Sequence, residues 1–181
     1  MKWLLVLACL LAPAAHADEG LWKLVAGGGQ VLFIRHAETT PGVGDPPGFR
    51  LEDCASQRNL STEGRAQAQR MGAELGRRGV AIAEVLSSPW CRCLDTARLA
   101  FGNATRWDAL SNLFGRSGES ERQVGALRPR VAAYRGSGNL VLVSHGSTAA
   151  ALTGEHPGMG ELLVLTPSGA GFRVAGRLAI P

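Results

Sequence analysis

The sequence predicts an α/β fold of three layers, with a mainly parallel central sheet flanked by helices. Three observations predict it. Val31-Leu32-Phe33-Ile34 and Leu140-Val141-Leu142-Val143 are unbroken apolar runs rich in β-branched residues, and they read as strands buried on both faces. Between them, stretches with helical spacing alternate with another strand-like run, the pattern of βα units around a parallel sheet. Near the end of the chain, Pro167-Ser168-Gly169-Ala170 separates two further strand-like runs, Glu161 to Thr166 and Gly171 to Leu178, which reads as a hairpin.

The first residues stand apart from this fold. Lys2, the apolar run Trp3 to Ala15 and the small-x-small triplet Ala15-His16-Ala17 make the three-part pattern of a secretory signal peptide. The reading is a signal peptide over residues 1–17 and one domain over 18–181, periplasmic or secreted after cleavage. The apolar run falls short of the roughly 20 residues needed to cross a bilayer, and no later stretch is apolar enough, so no stable membrane anchor is expected.

Asp18 to Gly29 is a lead-in. Its triplet Gly27-Gly28-Gly29 comes before a strand, whereas a dinucleotide fingerprint needs glycines after one, so it is a turn. Pro41 to Phe49 holds three prolines and three glycines and reads as a surface loop beside the first strand's end, either a lid or a plain connector. Arg65 to Arg78 has helical spacing, with Ser61 or Thr62 as N-cap and Gly79 as the stop. Ile82 to Leu86 is a strand, and Pro89 opens a helix over Trp90 to Phe101. Trp107 to Gly118 is irregular. Glu119 to Tyr134 is a helix that Pro129 should kink or end early, and Ser147 to Leu152 is a short helix after the second apolar strand.

Composition excludes some functions. There are 19 basic and 15 acidic residues, a net charge of +4, with the arginines scattered and only one tyrosine. That is not the basic block with interleaved aromatics of a nucleic-acid binder. Beyond the leader the cysteines are Cys54, Cys91 and Cys93. Export would let Cys54 pair with Cys91 or with Cys93, leaving one thiol over. Zinc is not expected, because Cys91-x-Cys93 has no second ligand pair at suitable spacing.

The candidates for chemistry lie at strand ends, where open α/β sheets bind ligands. Both apolar runs end in a histidine, Arg35-His36 and Ser144-His145, while His156 lies in a Gly/Pro-rich surface segment. Arg35, Arg58 and Arg92 supply planar cations suited to gripping phosphate. Any one of them alone reads as a surface ion pair, worth about 0–1 kcal/mol.

Four segments together carry a resemblance. Arg35-His36-Ala37-Glu38-Thr39, Arg58-Asn59-Leu60-Ser61-Thr62-Glu63-Gly64, Ser88-Pro89-Trp90-Cys91-Arg92-Cys93-Leu94-Asp95-Thr96-Ala97 and Val143-Ser144-His145-Gly146 resemble, in order, motifs of the histidine phosphatase superfamily. That superfamily also includes the phosphoglycerate mutases, and the likeness is greatest to small, single-domain, exported bacterial members. The resemblance implies a phosphoglycerate-mutase-like fold and a metal-independent phosphatase without cofactors, acting on phosphomonoesters or phosphoramidates. His36 would be the nucleophile that becomes a phosphohistidine. Arg35, Arg58, Arg92 and His145 would hold the phosphoryl group. The acid for the leaving group would be Glu119, with Asp108, Glu121 and Glu38 as other candidates. Expected partners are a phosphorylated small molecule, an envelope sugar phosphate or a phosphoprotein. The rivals are a non-catalytic phosphate- or phosphoprotein-binding module, a phosphomutase, and a structural envelope protein. One departure stands out: Ala37 replaces the glycine that usually follows the histidine, which would strain a turn needing positive φ.

Overall fold

The structure is a computed structural model that describes the backbone of residues 13–180 and the side chains of residues 19–180, Ser117 excepted. The apolar stretch of the leader up to Ala12 lies outside the described residues. Helix α1 (Pro13–Ala26) runs through the expected cleavage site. Most of the lead-in, residues 18–26, is therefore helical. Leu21, Trp22, Leu24 and Val25 recur at helical spacing, and this face packs into the core, with Trp22 and Val25 buried.

Six strands form one sheet in the order β3-β2-β4-β1-β5-β6: β1 (Val31–Arg35), β2 (Ile82–Ser87), β3 (Thr105–Arg106), β4 (Asn139–Ser144), β5 (Leu162–Pro167) and β6 (Phe172–Leu178). The first four are mutually parallel, while β5 lies antiparallel to β1 and pairs with β6 as the expected hairpin. Successive side chains of a strand face opposite ways, so β1 and β4 feed two cores. Leu32, Ile34, Val141 and Val143 pack with Trp22 and Val25 of α1, Met71 and Leu75 of α2 (Thr62–Arg77), and Cys93 and Ala97 of α3 (Cys91–Phe101). Val31, Phe33, Leu140 and Leu142 pack with Leu127 and Val131 of α4 (Ser120–Ala132) and Ala149 and Leu152 of α5 (Gly146–Thr153). A helix layer on each face makes the three layers and explains why both runs are apolar at every position.

Helix α2 starts at Thr62 because Ser61, one of the two expected caps, accepts from the Gly64 N–H at 2.9 Å. One helix end differs from expectation. Helix α4 continues past Pro129 to Ala132. A proline that near the C-terminus removes one hydrogen bond and leaves the earlier turns intact.

A disulfide joins Cys54 to Cys91, 37 residues apart, and Cys93 is a buried free thiol. The bridge fastens the segment carrying Arg58 to the first turn of α3. Closing a loop of that length stabilises by about 3–4 kcal/mol in the chain-entropy model. Reduction should therefore lower the melting temperature by roughly 10 °C, readable by thermal denaturation with and without a reductant. Burial pushes the Cys93 thiol up to about 12, so it should resist alkylation until the protein unfolds.

Candidate active site

Parallel pairing decides where the two histidines meet. In the β1–β4 register Arg35 lies opposite Ser144, so the next residues, His36 and His145, leave adjacent strands at the same level. The ladder runs on for one more bond, from the His36 N–H to the Ser144 carbonyl at 2.9 Å. The two imidazoles meet edge to face, with centroids 5.4 Å apart. On the other side of β4, the Ser88 N–H donates to the Val143 carbonyl, which brings the Ser88 hydroxyl 2.8 Å from His145 Nε2.

The arginines arrive from three further directions. Arg35 ends β1 and donates to the Pro157 carbonyl at 3.0 Å. A Cβ at Gly146 would stand only 3.3 Å from the Arg35 guanidinium, so glycine there leaves room for the cation at the start of α5. Arg58 is brought in because residues 38–40 and 59–61 pair: Thr40 donates to Asn59, Ser61 donates to Glu38, and Thr39 bridges Leu60. Gly64 lets this happen, since a Cβ there would lie 1.8 Å from the Glu38 carbonyl oxygen. Arg92 comes from the first turn of α3 and is almost wholly buried.

Arg35, His36, Arg58, Arg92 and His145 thus line one cleft of about 410 Å³. Five buried side-chain polar atoms have no hydrogen-bond partner among the described residues, and four belong to this cleft: Arg35 Nε, Arg58 Nε, Arg92 Nε and His145 Nδ1. Buried polar groups are almost always paired. Three guanidinium groups and an imidazole around one cleft, each with such an unpaired nitrogen, suit a compact anion.

His36 has a defined tautomer. Its Nδ1 lies 2.9 Å from the Ala37 carbonyl oxygen, which can only accept, so Nδ1 carries the hydrogen and Nε2 keeps the lone pair. His36 is pushed down to about 3, chiefly by burial; the bond to Ala37 opposes this, and the charges of Arg92, Arg35 and Arg58 add to it. Burial also holds His145 well below its ordinary value, with His36, Arg92, Arg35 and Arg58 adding. An unfolded histidine takes a proton near pH 6.5. Stability from the neutral His36 is therefore complete above about 6.5 and is lost progressively as pH falls towards 3. Denaturation midpoints should decline through that window, and His36→Gln should remove part of the slope.

Ala37 fits without strain. No residue other than glycine has positive φ among the described residues. Ala37 is fully buried against Leu60 and Ala68, and its N–H donates to Thr96 Oγ1 at 3.0 Å. The turn did not need the conformation that made glycine seem necessary.

The leading acid candidate is a correction. Glu119 does not line the cleft; it is paired with Arg122 and lies 3.9 Å from Arg116. The Arg122 hydrogen bond, with its charge, holds the Glu119 carboxyl below its usual value, the wrong direction for a proton donor. Glu38, Asp108 and Glu121 do not line the cleft either, and no carboxylate does among the described residues.

The residue that sequence reasoning passed over is Asp45. Its Oδ1 accepts from Arg92 at 2.6 Å and from the Arg58 N–H at 3.0 Å, and its Oδ2 accepts from Arg92 at 3.2 Å and from Trp90 Nε1 at 3.0 Å. Burial works to raise this carboxyl, but Arg92 leads the groups that outweigh it and hold it low. Asp45 is the only charged residue in the loop 41–49, and that isolation was the available signal. The loop is accordingly a wall of the cleft, contributed by Gly42, Val43 and Gly44. His156 is exposed, as expected, yet it stands on the rim of this cleft.

Residues 31–114 match the histidine phosphatase superfamily (branch 1). The matched segment carries Arg35, His36, Arg58 and Arg92 and ends before His145. No curated protein matches the chain. Among solved structures, a phosphoserine phosphatase from Entamoeba histolytica in complex with 3-phosphoglyceric acid is similar at 14% identity, with 83% of this chain and 96% of that one covered and a TM-score of 0.62. A SixA protein from Agrobacterium tumefaciens is similar at 22% identity, covering 83% and 97%, with a TM-score of 0.56. The protein histidine phosphatase SixA in complex with tungstate is similar at 20% identity, covering 83% and 96%, with a TM-score of 0.55. These likenesses show the fold, a phosphoglycerate-mutase-like α/β architecture.

Proposed function

We propose that the chain is a histidine phosphatase that hydrolyses phosphomonoesters or phosphoramidates through a phosphohistidine on His36. The observation that carries the reading is one cleft lined by Arg35, Arg58, Arg92 and His145, each with a buried nitrogen that has no partner among the described residues, around a histidine whose Nε2 keeps its lone pair. In the first step Nε2 attacks phosphorus and the bond to the leaving group breaks, its electron pair departing with that group. The three equatorial oxygens meet the guanidinium groups and His145, which stabilise the charge spread over them. Water then attacks phosphorus, the P–Nε2 bond breaks with its electron pair returning to Nε2, and inorganic phosphate leaves as the water's proton passes to it or to solvent, so that His36 is neutral again. No step draws on a metal or cofactor.

With no carboxylate lining the cleft, leaving groups of low basicity, or nitrogen leaving groups that solvent can protonate, suit it best. The match to SixA, a protein histidine phosphatase, points the same way. We further infer export to the periplasm behind the signal peptide, which makes a phosphorylated envelope component or exported phosphoprotein accessible. The missing acid also favours a second reading, a phosphate-binding module that does not turn over. Incubating the protein from Asp18 onward with p-nitrophenyl phosphate and with phosphoramidate decides between them. The enzyme reading expects many equivalents of phosphate per protein from at least one substrate; tight binding of phosphate with no release from either would establish the binding module.

A further inference from the structure

Building on the phosphatase reading, we propose that the cleft selects substrates whose leaving group is apolar, an aryloxide or an aryl- or alkylamine, and that Phe114 and Val43 are the residues that select it. Among the described residues the exposed large hydrophobic side chains are Val43, Phe49 and Phe114, at 85%, 36% and 60% exposure. Phe49 leans on Trp90, with ring centroids 6.0 Å apart. The other two, the most exposed, both line the cleft that holds His36. Scattered exposed apolar residues need no explanation, but their convergence on one binding cleft does.

The two residues come from separate segments that touch. A Cβ on Gly44, next to Val43, would lie 3.7 Å from Phe114 Cε1, so the loop 41–49 and the loop before α4 meet over the cleft. Phe114 is held there by its backbone. Its N–H donates to Asn112 Oδ1 at 3.1 Å, and the same oxygen accepts from Ser147 Oγ at 2.8 Å. Ser147 Oγ in turn accepts from the Leu113 N–H at 3.2 Å. The polar side chains of this wall are therefore engaged with one another in presenting Phe114, and Ala150 and Pro157 continue the apolar lining.

Reaction geometry ties this surface to the substrate. His36 is 3% exposed and sits at the floor, and in-line displacement sends the leaving group away from the attacking nitrogen. A phosphoryl group held by the arginines thus projects its leaving group outward, towards Val43 and Phe114. No lysine, aspartate or glutamate lines the cleft; its charged side chains are the three arginines that hold the phosphoryl group, with His156 at the rim.

The test uses phosphonates, which cannot be hydrolysed, so that binding is separated from leaving-group chemistry. Dissociation constants are measured by calorimetry for methyl-, butyl-, hexyl-, octyl- and phenylphosphonate. The expected result is a gain of about two- to fourfold per methylene along the alkyl series, set by apolar burial, and tighter binding of phenyl- than of methylphosphonate. Phe114→Ala and Val43→Ser should flatten the series while methylphosphonate affinity stays within about twofold; both side chains are exposed, so folding is not at issue. A gain that continues to octyl assigns long-chain phosphoramidates, and one that stops at phenyl or butyl assigns small aryl phosphates or phosphoramidates. Methylphosphonate binding with a flat series in the unmodified protein overturns this proposal and leaves the phosphatase reading standing. Failure of methylphosphonate and phosphate alike to bind overturns both.

Discussion

His36→Ala should lower kcat/KM by between about 10³ and 10⁶, the range expected when a covalent nucleophile is removed and its binding site remains. The expectation follows from geometry. Nδ1 is committed to the Ala37 carbonyl, so the lone pair sits on Nε2, and no neighbouring imidazole can replace it. His145 Nε2 is already engaged by the Ser88 hydroxyl, and its Nδ1 is buried. The three arginines stay in place in the variant, since each arrives on its own segment and none is held by His36. Tungstate should therefore still raise the melting temperature of His36→Ala, which separates a lost nucleophile from a lost fold. An inactive variant that no longer binds tungstate would mean that His36 builds the site instead of reacting in it.

Asp45→Ala should cost both stability and activity. The Arg92–Asp45 pair is buried, with side chains 1% and 4% exposed, and the carboxylate answers four donors at once. Removing one partner of a buried pair strands the other charge and costs about 3–5 kcal/mol. It also frees the Arg92 fork, and a displacement of about 1 Å in a positioning group costs on the order of 10²-fold in rate. The two effects can be pulled apart. Pairing Asp45→Ala with Arg92→Met removes the stranded charge, so the double variant should regain much of the stability in urea while its activity falls further. Additive loss of stability in the double variant would show that the pair is not coupled.

Much of the site was legible because its parts are strand ends and motif residues. The two apolar runs placed β1 and β4, and a parallel sheet brings the ends of neighbouring strands to one edge, so His36 and His145 could be expected together. Arg92 could be placed one turn into the helix that follows β2, whereas Arg58 was singled out only by its motif's resemblance to the family. What could not be read was everything that depends on how loops cross in space. Asp45 lies 47 residues from Arg92 in a proline- and glycine-rich loop with no periodicity, and its role exists only because that loop folds back over α3. Glu119 was singled out by position in the chain, but the 3-10 turn before α4 leaves it facing Arg116 and Arg122. The Ala37 concern assumed a left-handed turn, whereas the ladder continues to His36 and no described residue other than glycine has positive φ. Neither cysteine partner could be excluded in advance, because Cys91 and Cys93 are two residues apart; the helix settles it by aiming Cys93 into the core and Cys91 at the Cys54 segment.

The most direct test of the central claim is to trap the intermediate. The protein is mixed with phosphoramidate or p-nitrophenyl phosphate, quenched in alkali to preserve phosphohistidine, digested and mapped by mass spectrometry. The expected result is one acid-labile phosphoryl group on the peptide containing His36, absent from His36→Ala and lost on standing as phosphate is released. Continued turnover with the phosphoryl group on another residue, His145 included, would contradict the assignment of His36 as the nucleophile.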